Sequence, residues 1–119
     1  MRIIKSVENK VCSDGAIWKE LTLDTKVTSG FVDILLTLGT NEITLGVGSG
    51  FFKIYIEDCL LIRGFLDDTS VEVRFWPDVT NTTEPFMHDL MSWYQDGDPN
   101  YAMIERCVKE MKTKIKEDQ

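Results

Sequence analysis

The chain has 119 residues, of which 43% are hydrophobic and 28% charged, and its formal net charge is −7. This length suits one domain whose core needs no disulfide or metal staple, and no apolar run approaches the roughly 20 residues of a membrane helix. The acidic balance argues against nucleic-acid binding through phosphates, which requires a basic footprint.

The charge is unevenly placed. Residues 1–53 carry six acids and six bases, residues 54–105 carry eleven acids against Arg63 and Arg74, and residues 106–119 carry five bases and three acids. The N-terminal Met1-Arg2-Ile3-Ile4-Lys5-Ser6 has no apolar core of a secretory leader. Cys12, Cys59 and Cys107 are scattered, without metal-ligand or redox spacing. A reducing cytoplasm is the expected compartment.

Taken in chain order, residues 2–8 predict a first strand, and Ser13-Asp14-Gly15 a turn. Ala16 to Asp24 predicts a second strand, with Ile17, Lys19, Leu21 and Leu23 on one side and Trp18, Glu20 and Thr22 on the other. Phe31 to Leu38 predicts a third strand with Val32, Ile34, Leu36 and Leu38 on one face; a short helix is the competing reading, because Leu35 also belongs to the run. Gly39 to Glu42 is a turn, and Ile43, Leu45 and Val47 alternate as the second arm of a hairpin.

The densest alternation spans 51–63. Phe52, Ile54, Ile56, Leu60 and Ile62 are expected to anchor the sheet against helices, and the stretch either bends or folds back at Glu57-Asp58. Leu66 to Ser70 is a turn, and Val71 to Trp76 the last strand, which Pro77 stops. Thr83 then suits the N-cap of a helix with Glu84 and Pro85 in its first turn, and with Phe86, Leu90 and Trp93 or Tyr94 on one side. Asp98 and Pro99 open a second helix whose apolar stripe is Tyr101, Ile104, Val108, Met111 and Ile115. Strands followed by helices give an α+β class: an antiparallel sheet of about six strands and two C-terminal helices packed on one of its faces. Residues 1–119 form a single domain, with a β-sheet region over 1–77 and a helical region over 83–117.

Few motifs carry chemistry. Gly46-Val47-Gly48-Ser49-Gly50 resembles a phosphate loop, yet a strand is expected after it where a helix is required. His88 neighbours Asp89 on a predicted helix, where adjacent residues do not face each other. Asp96-Gly97-Asp98 lacks the later ligands of a calcium loop and is better explained by capping. Asn81-Thr82-Thr83 matches a glycosylation triplet only formally. No catalytic residue, metal ligand or cofactor is assigned.

The tryptophans are more informative. Trp18 and Trp76 stand on the opposite parity from the apolar sets, so a sheet covered on one side only would display them with Tyr55 on its open face. Glu20, Glu57, Glu72 and Asp78 would rim such a patch, as at a protein-binding surface. In profile, not in sequence, the chain is similar to small inhibitor proteins of bacteria and phages, the toxin-immunity and anti-defence types. That likeness implies a protein-binding inhibitor of a larger basic partner, a nuclease or nucleic-acid-binding effector, with no direct contact to nucleic acid or membrane. The expected contact residues are Trp18, Tyr55, Glu57, Asp58, Asp67, Asp68, Glu72 and Trp76. Two alternatives stay open. One is a ligand-binding or enzymatic domain with Arg63, Arg74 or His88 converging in a pocket of a curled sheet. The other is a homo-oligomeric accessory subunit that pairs through a strand edge.

Overall fold

A computed structural model describes residues 1–41, 50–94 and 100–117. The strand expected over 43–47, most of the glycine run and the Asp96–Pro99 cap lie outside these residues. Six strands form one antiparallel sheet: β1 (Ile3–Val11), β2 (Ile17–Leu23), β3 (Thr40–Asn41), β4 (Phe51–Ile56), β5 (Leu60–Phe65) and β6 (Ser70–Phe75). Their spatial order is β1-β2-β6-β5-β4-β3, and β3 is only two residues long. Three helices complete the description: α1 (Ser29–Leu38), α2 (Thr80–Trp93) and α3 (Tyr101–Glu117).

The stretch 51–63 folds back as a hairpin, pairing Ile56 with Leu60 and Phe51 with Phe65. Asp58 makes the reversal at φ 62°, and the Cys59 amide donates to the Ile56 carbonyl at 2.9 Å. Aspartate tolerates this left-handed conformation better than most side chains. Phe52, Ile54, Ile56, Leu60 and Ile62 are all buried in one cluster with residues of the three helices. The alternation is therefore the inner face of the sheet, as expected.

The segment 31–38 is helix α1, which overturns the predicted third strand. Thr28 caps it, its hydroxyl accepting from the Phe31 amide at 3.3 Å. Phe31, Ile34, Leu35 and Leu38 are buried at helical spacing, whereas Val32 and Leu36 stay partly exposed. The alternating set Val32, Ile34, Leu36, Leu38 contained only half of the true core face. At the end of α1 the chain passes β4 at backbone contact: a Cβ on Gly39 would overlap the Tyr55 carbonyl oxygen and stand 3.0 Å from its carbonyl carbon.

Helix α2 begins at Thr80, after a 3-10 turn over Pro77–Val79, so Thr83 is not its cap. The Thr80 hydroxyl donates to the Trp76 carbonyl at 2.8 Å and Thr83 to that of Val79 at 3.1 Å. Pro85 consequently falls inside the helix. Of the alternatives Trp93 and Tyr94, the buried one is Tyr94; its hydroxyl lies 3.0 Å from that of Thr28 and its ring 5.1 Å from Phe31. In α3 the stripe Ile104, Val108, Met111 and Ile115 is buried, but Tyr101 is 62% exposed and does not belong to it. The Asn100 side chain accepts from the Met103 amide at 3.2 Å and caps the helix.

The helices share one face of the sheet. Leu21, Leu23, Val71, Val73 and Phe75 join them in the same cluster, and Lys19 is ion-paired to Glu84 on α2. Since side chains alternate along a strand, Trp18, Glu20, Glu72 and Arg74 point to the other face. No helix packs on that face among the described residues, and none of the described helices is long and apolar enough to cross a membrane.

Candidate functional site

The registers place the side chains of the uncovered face in rows across four strands. One row runs Trp18, Arg74, Leu61, Tyr55. The next runs Glu20, Glu72, Arg63, Lys53. A third pairs Thr22 with Ser70 and Phe65 with Phe51. Cross-strand neighbours of this kind have Cβ atoms about 5 Å apart and interact directly.

Two tryptophans organise the first row and its continuation. The Arg63 guanidinium lies 3.8 Å from the centroid of Trp18 and is held by Glu72 at 3.2 Å. The Arg74 guanidinium lies 5.2 Å from the centroid of Trp76 and is held by Asp14 at 2.8 Å. Each tryptophan thus carries a cation, and each cation an acid. The arrangement has opposite consequences for the two indoles. Trp18 is only 9% exposed, while Trp76 remains partly open, its ring meeting that of Tyr55 edge-on at 6.0 Å. The Arg74 Nε is buried without a hydrogen-bond partner among the described residues.

Three connections meet at the Trp76 end of the sheet. Ile17 pairs with Phe75, Phe75 with Leu60, and Leu60 with Ile56. The β1–β2 turn, the β4–β5 turn and the exit from β6 therefore lie side by side. Gly15 stands against Pro77, a Cβ there falling 3.3 Å from the proline ring. These connections carry Asp14, Glu57, Asp58 and Asp78, all four exposed, at the Trp76 end, and Glu57 and Asp58 also line a hollow with Cys59 and with Lys112, Ile115 and Lys116 of α3. The Asp58 amide donates to the Tyr55 hydroxyl at 3.3 Å, which ties that turn to the aromatic pair.

Three of the eight expected contact residues, Tyr55, Trp76 and Asp58, come together here, and Glu57 shares the β4–β5 turn but lines the hollow toward α3. Trp18 shares the face but lies beneath Arg63. Glu72 sits in the middle row. Asp67 and Asp68 lie at the opposite end, in the β5–β6 turn, away from the Trp76 group. There they have structural duties: Asp67 takes φ 67°, its amide donates to the Val27 carbonyl at 2.9 Å, and the Val27 amide donates to the Asp68 carbonyl at 2.8 Å. Asp14 and the covering role of Arg63 and Arg74 escaped sequence reasoning. Arg74 and Asp14 are 60 residues apart, and only the register between β2 and β6 joins them.

Other candidates stay apart. His88 is on α2, beside Lys19, Leu21 and Phe75, on the opposite side of the sheet from Arg63 and Arg74. Burial pushes the Cys59 thiol above its ordinary value, with Lys112 opposing the rise and Asp58 adding to it. Burial likewise raises Cys107. Among the described residues no group of three His, Cys, Asp or Glu side chains is placed to hold a metal ion. The edge strand β1 is exposed over eight of its nine residues, yet it is bulged between Ile3 and Lys5 and between Glu8 and Lys10. Bulges and edge lysines discourage addition of a further strand. The chain matches no protein-family model, no curated protein and no solved structure.

Proposed function

We propose that this chain is a protein-binding module that blocks a larger, basic protein in the cytoplasm, in the manner of immunity and anti-defence inhibitors. The observation that carries this reading is the group Tyr55, Trp76 and Arg74 at one end of an uncovered sheet face, with Asp14 paired to Arg74 and the exposed Glu57, Asp58 and Asp78 on the connections at that end. Tyrosine, tryptophan and arginine dominate the energetic centres of protein interfaces, and charged residues around them steer the encounter. The face itself is close to neutral, because Lys53, Arg63 and Arg74 stand against Glu20, Glu72 and Asp14. The acidity that would select a basic partner comes from the turns.

Size supports including those turns. Five strands about 4.8 Å apart and about 20 Å long present roughly 500 Å². A stable interface takes about 800 Å² from each partner. The sheet face alone falls short, and the adjoining turns at the Trp76 end make up the difference.

The test is capture from the native host with three baits: wild type, Trp76→Ala, and the charge variant Glu57→Gln/Asp58→Asn/Asp78→Asn. Asparagine suits the positive φ of position 58. The reading predicts a basic protein retained by the wild type, lost with Trp76→Ala, and eluted from the charge variant at lower salt. The same proteins retained by all three folded baits, or none retained by the wild type, would overturn it.

A further inference from the structure

Away from the Trp76 end, the uncovered face has a hollow of about 290 Å³ lined by Glu20, Phe51, Arg63, Phe65, Asp68 and Glu72, with Ser70 and Gly64 also at its surface. It exists because a small residue interrupts a row of larger ones: Ser70 stands between the Phe51–Phe65 pair and Thr22. The two phenyl rings are 5.3 Å apart and tilted, and Phe65 is 45% exposed. One wall is therefore an open aromatic surface.

The other wall is carboxylate. Glu20 lies directly opposite Glu72 on the neighbouring strand. Like charges in this position are destabilising. Arg63 compensates Glu72, bound at 3.2 Å, but the Glu20 carboxylate has no ion-pair partner among the described residues. Asp68 adds a third carboxylate, one oxygen of which accepts from the Thr69 amide at 2.7 Å. The lining thus carries three acids against one base, next to an exposed ring.

We infer that this hollow is the anchor site for an arginine side chain of the protein partner. An arginine fits its two walls at once: the planar guanidinium accepts bidentate pairing with carboxylates and stacks on aromatic rings, which a lysine ammonium does less well. Its arrival relieves the Glu20–Glu72 repulsion, so the site is energetically prepared for a cation. The inference rests on the reading of this face as a docking surface, and it adds the chemistry of one contact. It also gives a function to Glu72 and Asp68, which lie too far along the sheet to serve the Trp76 group.

The probe is N-acetyl-arginine amide, titrated into the whole chain labelled with nitrogen-15, with N-acetyl-citrulline amide as the neutral isostere. Shifts should concentrate at the amides of Gly64, Ser70 and Glu72 with arginine and be absent with citrulline. Glu20→Gln should weaken binding roughly fivefold, the loss of one charge-assisted contact. Ser70→Tyr, which fills the hollow from the uncovered side, should abolish the shifts. Equal response to arginine and citrulline, or arginine shifts unchanged in both variants, would overturn the inference. If arginine fails to bind while Trp76→Ala still abolishes partner capture, this anchor is wrong and the docking face stands; if Trp76→Ala leaves capture intact, the docking face itself fails.

Discussion

Replacing Trp18 by alanine separates a structural tryptophan from a displayed one. A tryptophan side chain offers roughly 200 Å², and Trp18 is only 9% exposed. At about 25 cal/mol per Å² its burial contributes up to about 5 kcal/mol. Compactness of the unfolded chain and the retained Cβ reduce the expected loss to about 3 kcal/mol. Arg63 should contribute to that loss, because its guanidinium lies 3.8 Å from the ring; a double-mutant cycle of Trp18→Ala with Arg63→Ala should give a coupling of about 1 kcal/mol. Urea unfolding followed by far-ultraviolet circular dichroism is the assay, since the chain has three tryptophans and fluorescence would change its baseline with each one removed. With a slope of about 1.5 kcal/mol per molar, the midpoint should fall by about 2 M. Trp76→Ala, on a more open ring, should cost about 1 kcal/mol. A loss below about 1 kcal/mol for Trp18→Ala would show that the indole is not covered, and would refute the assignment of Arg63 as its lid.

Gly39→Ala should destabilise by about 3 kcal/mol through overlap with the Tyr55 backbone, visible as a lowered melting temperature; an unchanged value would mean α1 does not approach β4 as described. Cys59 gives a pH test. Its folded pKa lies above the ordinary thiol value of 9.0, so the neutral thiol is favoured in the fold, and the stability it contributes is complete below that value and lost as pH rises above it. The stability advantage of wild type over Cys59→Ala should therefore shrink above pH 9.0, by at most about 1.4 kcal/mol per unit; a constant difference in urea unfolding from pH 7 to pH 10 would contradict it. Once a partner is in hand, Glu57→Gln/Asp58→Asn/Asp78→Asn should slow association at low salt by roughly tenfold. Asp67→Asn, in the turn at the far end, should leave the rate within about twofold in the same stopped-flow experiment.

Much of the sheet can be read from alternation alone, because the period of two in 51–56 and 71–75 reports a surface with one covered side. Sequence alone leaves a bend and a hairpin at Glu57-Asp58 equally open, because the turn has neither Gly nor Asn; Asp58 does their work at positive φ. The segment 31–38 satisfied both periods, and tertiary contact decided it: the Thr28 cap at one end and the passage of Gly39 over the Tyr55 backbone at the other. The expected start of α2 lies four residues too late, because the rules for proline at a helix start favour Thr83 as the cap over the back-bonding of Thr80 and Thr83 inside a helix capped at Val79. For the candidate site, parity correctly placed Trp18 and Trp76 on the uncovered face. It could not tell that one would be covered by Arg63 and the other left open, since that depends on the pairing of β2, β5 and β6 across the sheet. The expected contact set includes the acids of both the β4–β5 and the β5–β6 turns, whereas successive turns of an antiparallel meander fall at opposite ends. Hence Asp14 and Asp78 belong with Glu57 and Asp58, and Asp67 does not.

The central claim is that the Trp76 end of the uncovered face carries the binding energy. Isothermal titration of the captured partner against Tyr55→Ala and Trp76→Ala, with Arg106→Ala and Lys109→Ala on the exposed side of α3 as counterparts, tests it most directly. The two open-face variants should each weaken binding by at least about 2 kcal/mol, roughly thirtyfold, and the two α3 variants by less than about 0.5 kcal/mol. Equal losses on both sides of the molecule, or losses confined to α3, would contradict it.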